Sequence, residues 1–267
     1  MGEEPPYLIE PGESPLSVTA DRDGSFVDVT VTGHWTAALQ AAVGRTLRNC
    51  LAERPAGIVV DLHGLVDPAA ASVPTWVSAA GTAADAMPAV HLALCLPPDS
   101  ALASALRSAD CESVLDTPEE ARAALTENCP PAEVIRLRLA PSPMAPCEAR
   151  NLVGDACHEW DLQAVLHPGR AVMSELVANA VEHARTDMDI AVSRRGTALH
   201  LVVRDRTRQL PRIIDLAPVE PGLPLDERGH GLRVVHADST AWGAIPVTDG
   251  KMVWATVRDR AGRRRRW

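Results

Sequence analysis

Apolar and polar positions alternate in LSVTA (16–20) and FVDVTVTG (26–33), as they do in strands with one buried face. The intervening DRDG places a turn at Asp23-Gly24 and predicts a hairpin. Thr36 precedes a stretch of helical spacing that runs to about Glu53, and is its expected N-cap. GIVVDL (57–62) is a β-branched run of the kind carried by central, fully covered strands. Next come a helix from about Ala70 to Ala86, the strand VHLALCL (90–96), a helix near 99–108 and a helix opened by Thr117-Pro118-Glu119-Glu120. Strands alternating with helices predict an α/β layer on a largely parallel sheet.

The pattern breaks at ENCPPAEV (127–134), where two prolines sit among polar residues and mark a boundary. Beyond it the order changes. VIRLRLA (134–140) alternates as a strand, residues 145–159 have amphipathic helical spacing, and a second helix runs from about Pro168 to Ala184. MDIAVSRRGTALHLVVRD (188–205) reads as a hairpin turning at Arg195-Gly196. A proline-rich connection over 206–228 leads to GHGLRVV and to two closing strands, STAWGAI (239–245) and KMVWATVRD (251–259). Helices first and an antiparallel sheet after predict an α+β sandwich.

At 267 residues the chain is long enough for two cores. With aromatic residues at only 3%, Val, Leu and Ala must do most of the packing. A net charge of −9 argues against a nucleic-acid surface, which needs clustered Lys and Arg. The one basic cluster, RDRAGRRRRW, reads as a solvated tail, 261–267. There is no apolar run near the ~20 residues that span a membrane, and the acidic, proline-rich start lacks the apolar core of a signal peptide. Six cysteines (50, 95, 111, 129, 147, 157) stand singly without a CxxC pair. They read as reduced thiols of a cytoplasmic protein.

Within SELVANAVEHA (174–184), Glu175, Asn179 and His183 recur every four residues and share one stripe of the helix. Met173, Leu176, Val177, Ala180, Val181 and Ala184 form the opposite, core-facing side. Alone, the stripe reads as a solvated face, with His183 at the helix end against the C-terminal dipole. Two further segments follow in fixed order: the strand end VVRDRTRQLP (202–211) and the loop-to-helix ERGHGLRVV (227–235).

In that order the three segments resemble the N, G1 and G2 boxes of the GHKL (Bergerat-type) ATPases, the superfamily of gyrase-type and histidine-kinase-like ATP-binding domains. The close of the chain, Lys251 and then VWATV, looks most like the serine kinases that act as bacterial anti-sigma factors. The resemblance covers residues 134–260. It implies ATP and Mg²⁺ as cofactors, with Asn179 on the metal and Glu175 as the catalytic base toward an attacking hydroxyl. It further implies that Asp205 accepts from the adenine amino group, that Gly229 and Gly231 meet the phosphates at a helix start, and that Lys251 joins this nucleotide-binding set. Residues 206–228 would form the lid. One departure stands out: the glycines that usually follow the G1 aspartate are replaced by Arg206-Thr207-Arg208-Gln209-Leu210-Pro211.

GIVVDLHGLVDPAAASVPTWV in the first half resembles the signature of STAS domains, the fold of anti-sigma-factor antagonists, over residues 14–128. In that family an Asp-Ser pair opens a helix and its Ser accepts phosphate. Aligning Asp61-Leu62 and Gly64 on the motif puts Ala69 and Ala70 at the pair, so the acceptor is absent. Ser72, two residues on, reads as a helix cap, with phosphorylation as the other reading.

Together the resemblances imply an α/β STAS domain followed by an α+β GHKL sandwich. They imply a cytoplasmic, Mg·ATP-dependent protein serine/threonine kinase that regulates transcription by partner switching. Its partners would be a sigma factor or a separate STAS antagonist, with a homodimer expected from the family and neither nucleic acid nor membrane bound directly. The other reading, opened by the glycine-poor G1 box and the missing acceptor, is an inactive nucleotide-binding scaffold for the same partners.

Overall fold

A computed structural model of the chain describes residues 5–9, 15–21, 25–86, 89–111, 113–128, 133–211 and 231–259. The architecture is mixed α/β, in two units. One takes in Ile9–Ala132 with Ile245–Thr248, the other Met1–Leu8, Glu133–Ala244 and Asp249–Trp267. The two-residue strand β1 (Tyr7–Leu8) belongs to this other unit. No helix among the described residues is long and apolar enough to cross a membrane.

In the first unit, β2 (Leu16–Ala20) and β3 (Phe26–Val31) pair antiparallel. The turn expected at Asp23-Gly24 lies outside the described residues. A short β4 (Gly33–His34) leads to α1 (Ala37–Glu53), whose N-cap is Thr36, with Oγ1 accepting from Leu39 N at 3.2 Å. Then follow β5 (Gly57–Asp61), β6 (Leu65–Val66), α2 (Val73–Ala84), β7 (His91–Cys95), α3 (Ala101–Ser108), β8 (Val114–Leu115) and α4 (Pro118–Asn128). The main sheet runs β2-β3-β5-β7-β8 and is parallel from β3 onward, while β4 and β6 form a separate parallel pair. Val59, Ala93 and Cys95 share one face with Ala121 and Leu125 of α4. Burial pushes the Cys95 thiol up to about 12, a proton-holding packing residue.

The second unit holds β9 (Val134–Leu139), α5 (Ala145–Glu159), α6 (Leu166–Asn179), β10 (Met188–Arg195), β11 (Ala198–Asp205), α7 (Gly231–Asp238), the first four residues of β12 (Ala241–Val247) and β13 (Gly250–Arg258). Its sheet order is β1-β12-β13-β11-β10-β9, antiparallel through β13, β11, β10 and β9, with β1 added parallel to β12. Alternate residues of the sheet (Ile190, Val192, Leu199, Leu201, Val203, Val253, Ala255, Val257) share a core with Val153, Met173, Val177 and Val235 of the three helices. Such alternation against one helical layer gives the period-two pattern of these strands. The other strand faces are also covered at Trp254, where the Tyr7 ring stacks on the indole at 6.2 Å between centroids and 9° between planes. Gly243 permits that approach, since any side chain there would run into the Tyr7 carbonyl.

Candidate functional site

Helix α6 turns Val172, Met173, Leu176 and Val177 into the core, which leaves Glu175 and Asn179 on the side toward α7. After Asn179 the helix widens into a π turn over Ala180–Ala184, closed by Arg185 N donating to Ala180 O at 3.0 Å. The expected single α-helix to Ala184 thus ends one turn early. Single π turns recur beside functional sites because the wider ring re-aims neighbouring side chains. His183 lies exposed in this turn and takes no part in the cluster.

Gly231 opens α7 directly against the stripe. A Cβ built on it would lie 2.6 Å from Glu175 Oε2 and 3.5 Å from both amide atoms of Asn179. A carboxylate, an amide and the first turn of a helix therefore converge on a point that only a glycine leaves open. Asn179 Nδ2 is buried there without a hydrogen-bond partner, a group a ligand acceptor would satisfy. The Asn179 amide oxygen is a hard donor of the kind Mg²⁺ takes. The first-turn N–H groups and dipole of α7 suit phosphate oxygens. A carboxylate and a phosphate about 4 Å apart repel by about 4 kcal/mol near a protein surface. A divalent cation carried by the phosphate and the Asn179 amide oxygen offsets that repulsion, so the residues present fit Mg²⁺ with a polyphosphate. Among the described residues no three His, Cys, Asp or Glu side chains converge as a metal cage. The cation's remaining oxygens would come from phosphate and water.

A second polar group sits on the sheet. Register places Asp205, the last residue of β11, opposite Lys251 on β13. Gly250 allows this, because a side chain there would run into the Asp205 carbonyl. Lys251 Nζ lies 2.9 Å from Asp205 Oδ1 and 2.8 Å from Oδ2, and donates to Thr207 Oγ1 at 2.6 Å. Thr207 in turn donates its N–H and its hydroxyl to Asp205 Oδ1, each at 2.8 Å. Asp205 is 2% exposed and Lys251 6%. The charges are therefore held by each other and by one threonine. Thr207 is not among the residues expected from sequence; its N–H bond to Asp205 is an Asx-type turn, which an Asp at a strand end can form with any residue two positions on, so only the hydroxyl contact depends on threonine.

Gly229 and residues 212–228 of the expected lid lie outside the described residues, as does the tail 261–267. In the first unit, the helix expected from Ala70 begins at Val73, because Ala70 takes a left-handed backbone (φ 51°). Ser72 is not the side-chain cap that its position predicts. The loop before the helix is tied instead by Asp67, its carboxylate accepting from Ala71 N at 2.9 Å and Ser72 N at 2.8 Å. Ser72 is fully buried, and its Oγ has no partner. Ala69 is exposed and Ala70 half-buried.

The chain matches no protein-family model and no curated protein sequence.

Proposed function

We propose that this chain is a Mg²⁺- and nucleotide-dependent protein serine/threonine kinase of the anti-sigma type. In this reading an α/β STAS-like unit precedes an α+β unit of the GHKL kind, and the protein regulates transcription in the cytoplasm by partner switching. The supporting observation is the convergence of Glu175, Asn179 and the glycine start of α7. Asn179 offers the amide oxygen for Mg²⁺, and the first turn of α7 offers N–H groups to the phosphates. Glu175, one turn earlier on the same face, takes the proton of the attacking hydroxyl. The bound nucleotide supplies the phosphoryl group. The chain's residues hold it, orient it and accept the proton.

The partners are a sigma factor and a separate STAS antagonist, with a second copy of this chain as the dimer partner. Ala69 and Ala70 leave the fused first unit without an acceptor, so it serves as a docking adaptor or pseudosubstrate and phosphate goes to a partner in trans. That missing acceptor also favours a second reading, a nucleotide-binding scaffold without transfer.

Transfer of labelled γ-phosphate from the full chain to a panel of separate STAS proteins tests the first reading against the second. The expected result is Mg²⁺-dependent label on a Ser or Thr. Asn179→Ala should abolish Mg²⁺-dependent nucleotide binding, while Glu175→Gln should keep binding and stop transfer. Binding and transfer unchanged in both variants would refute the site.

A further inference from the structure

Asp205, Lys251 and Thr207 share their hydrogen bonds unevenly. A carboxylate has about four lone-pair sites over its two oxygens, and an ammonium has three donors and no acceptor. Oδ1 of Asp205 takes Lys251 Nζ at 2.9 Å and the Thr207 N–H and hydroxyl at 2.8 Å each. Oδ2 takes Lys251 Nζ alone, at 2.8 Å. Contacts therefore crowd one oxygen, and the other keeps an acceptor site. Asp205 is 2% exposed, so water does little to fill that site, and a buried acceptor of this kind is one that a ligand donor completes.

The side chain that sets the imbalance is Thr207. Lys251 directs two of its N–H groups at the Asp205 oxygens and the third at Thr207 Oγ1, 2.6 Å away. The Thr207 hydroxyl in turn gives its own hydrogen to Oδ1. It thus takes the third ammonium donor and returns a donor to the oxygen that is already crowded. A glycine at this position would keep the N–H bond and lack the hydroxyl. The ammonium, on a residue 6% exposed, would then hold an unsatisfied N–H. The acceptor within its reach that still has room is Oδ2.

We infer that Thr207 is a positioning residue: by holding the third donor of Lys251, its hydroxyl keeps Asp205 Oδ2 open to the amino group of a base. The site then prefers Mg·ATP over the same nucleotide without its 6-amino group. This rests on the nucleotide reading above and deepens it.

The test is calorimetric binding of Mg·ATP, the Mg²⁺ complex of purine riboside triphosphate (which lacks the amino group) and Mg·tripolyphosphate to the full-length chain, to Thr207→Val and to Thr207→Ser. A hydrogen bond to a charged group is worth roughly 10- to 150-fold in affinity, so wild type should prefer ATP over the analogue by ~10-fold or more. Thr207→Val should bring the two within about 3-fold of each other, and Thr207→Ser, which keeps the hydroxyl, should restore the preference. Tripolyphosphate, which has no base, should bind all three proteins alike. Wild type holding ATP and the analogue equally, or Thr207→Val keeping the full preference, overturns this inference and leaves the nucleotide reading standing. So does a loss of tripolyphosphate binding in Thr207→Val as large as its loss of ATP, which would make the residue merely structural. Failure of wild type to bind any of the three ligands overturns both.

Discussion

Replacing Gly231 by Ala separates the chemistry of the site from the stability of the fold. The new Cβ would lie 2.6 Å from Glu175 Oε2, and ordinary contact begins near 3.4 Å, so the carboxylate must retreat by about 0.8 Å. It can do so, because the clash is with the far end of a flexible side chain. The Asn179 amide atoms, at 3.5 Å, need not move. The helix gains by the exchange, since Ala is favoured over Gly by ~0.8–1 kcal/mol in a helix interior and by less at a first position. Melting should therefore stay level or rise by a few degrees. Transfer depends on where Glu175 sits, and a 1 Å misplacement costs roughly 100-fold, or about 2.7 kcal/mol of barrier. Binding of Mg²⁺-nucleotide, which rests on Asn179 and the α7 amides, should fall much less. Single-turnover phosphotransfer, calorimetry and a thermal melt read the three quantities. Transfer at the wild-type rate, or a melt lowered by ten degrees or so, would refute the geometry.

Three further outcomes follow from other contacts. Lys251→Met alone strands a buried carboxylate and should cost about 3–5 kcal/mol in a denaturant melt, most of which the added Asp205→Asn should restore; additive losses would refute the buried ion pair. Tyr7→Ala uncovers Trp254 and loosens the Gly243 and Ala244 pairing, so hydrogen exchange at those amides should speed up, with a Trp emission shift that disappears in a Trp254→Phe background. Burial raises the Asp21 carboxyl above the usual carboxylate range, so its contribution to stability is full below the ordinary pKa and is lost as pH rises through the raised one. Asp21→Asn should accordingly raise the melt at neutral pH with a gain that vanishes in acid, and a gain constant across pH would refute the assignment.

Long periodic elements were legible in the chain because burial on one face imposes a period. The two hairpins alternate in that way, while GIVVDL stands out as a continuous apolar run because both of its faces are covered. Strands of two residues carry no period at all. Tyr7–Leu8, the β4–β6 pair and Val114–Leu115 were therefore invisible, and the first lay in a stretch read only as acidic and proline-rich. The stripe at Glu175 and Asn179 was legible as a stripe, while the approach of Gly231 depends on how α7 returns over α6, a tertiary fact. Asp205 could be picked out by its place at a strand end. Its neutralisation by Lys251 depends on β11–β13 register over a long sequence separation, which local pattern does not encode.

Whether the first unit accepts phosphate turns on the loop before α2. Ser72 is the only hydroxyl between Asp67 and Val73, and it is fully buried. Turning it out would unwind the first turn and release the two N–H bonds to the Asp67 carboxylate. Bonds to a charged group are worth about 1.5–3 kcal/mol each, so opening costs about 3–6 kcal/mol and leaves the exposed form near 10⁻² to 10⁻⁴ of the population. A tethered kinase at millimolar effective concentration should modify such a residue slowly or not at all. Ala69 and Ala70 are better placed, one exposed and the other half-buried in a left-handed conformation. Ala69→Asp with Ala70→Ser puts the family's acceptor pair on this more accessible stretch, with the hydroxyl on a half-buried position instead of a fully buried one. The altered chain should then label itself in the presence of Mg²⁺ and nucleotide while the natural chain does not. Mass spectrometry that finds phosphate on Ser72 of the natural chain, lost in Ser72→Ala, would overturn both the buried state of that hydroxyl as a barrier and the reading of the first unit as a pseudosubstrate.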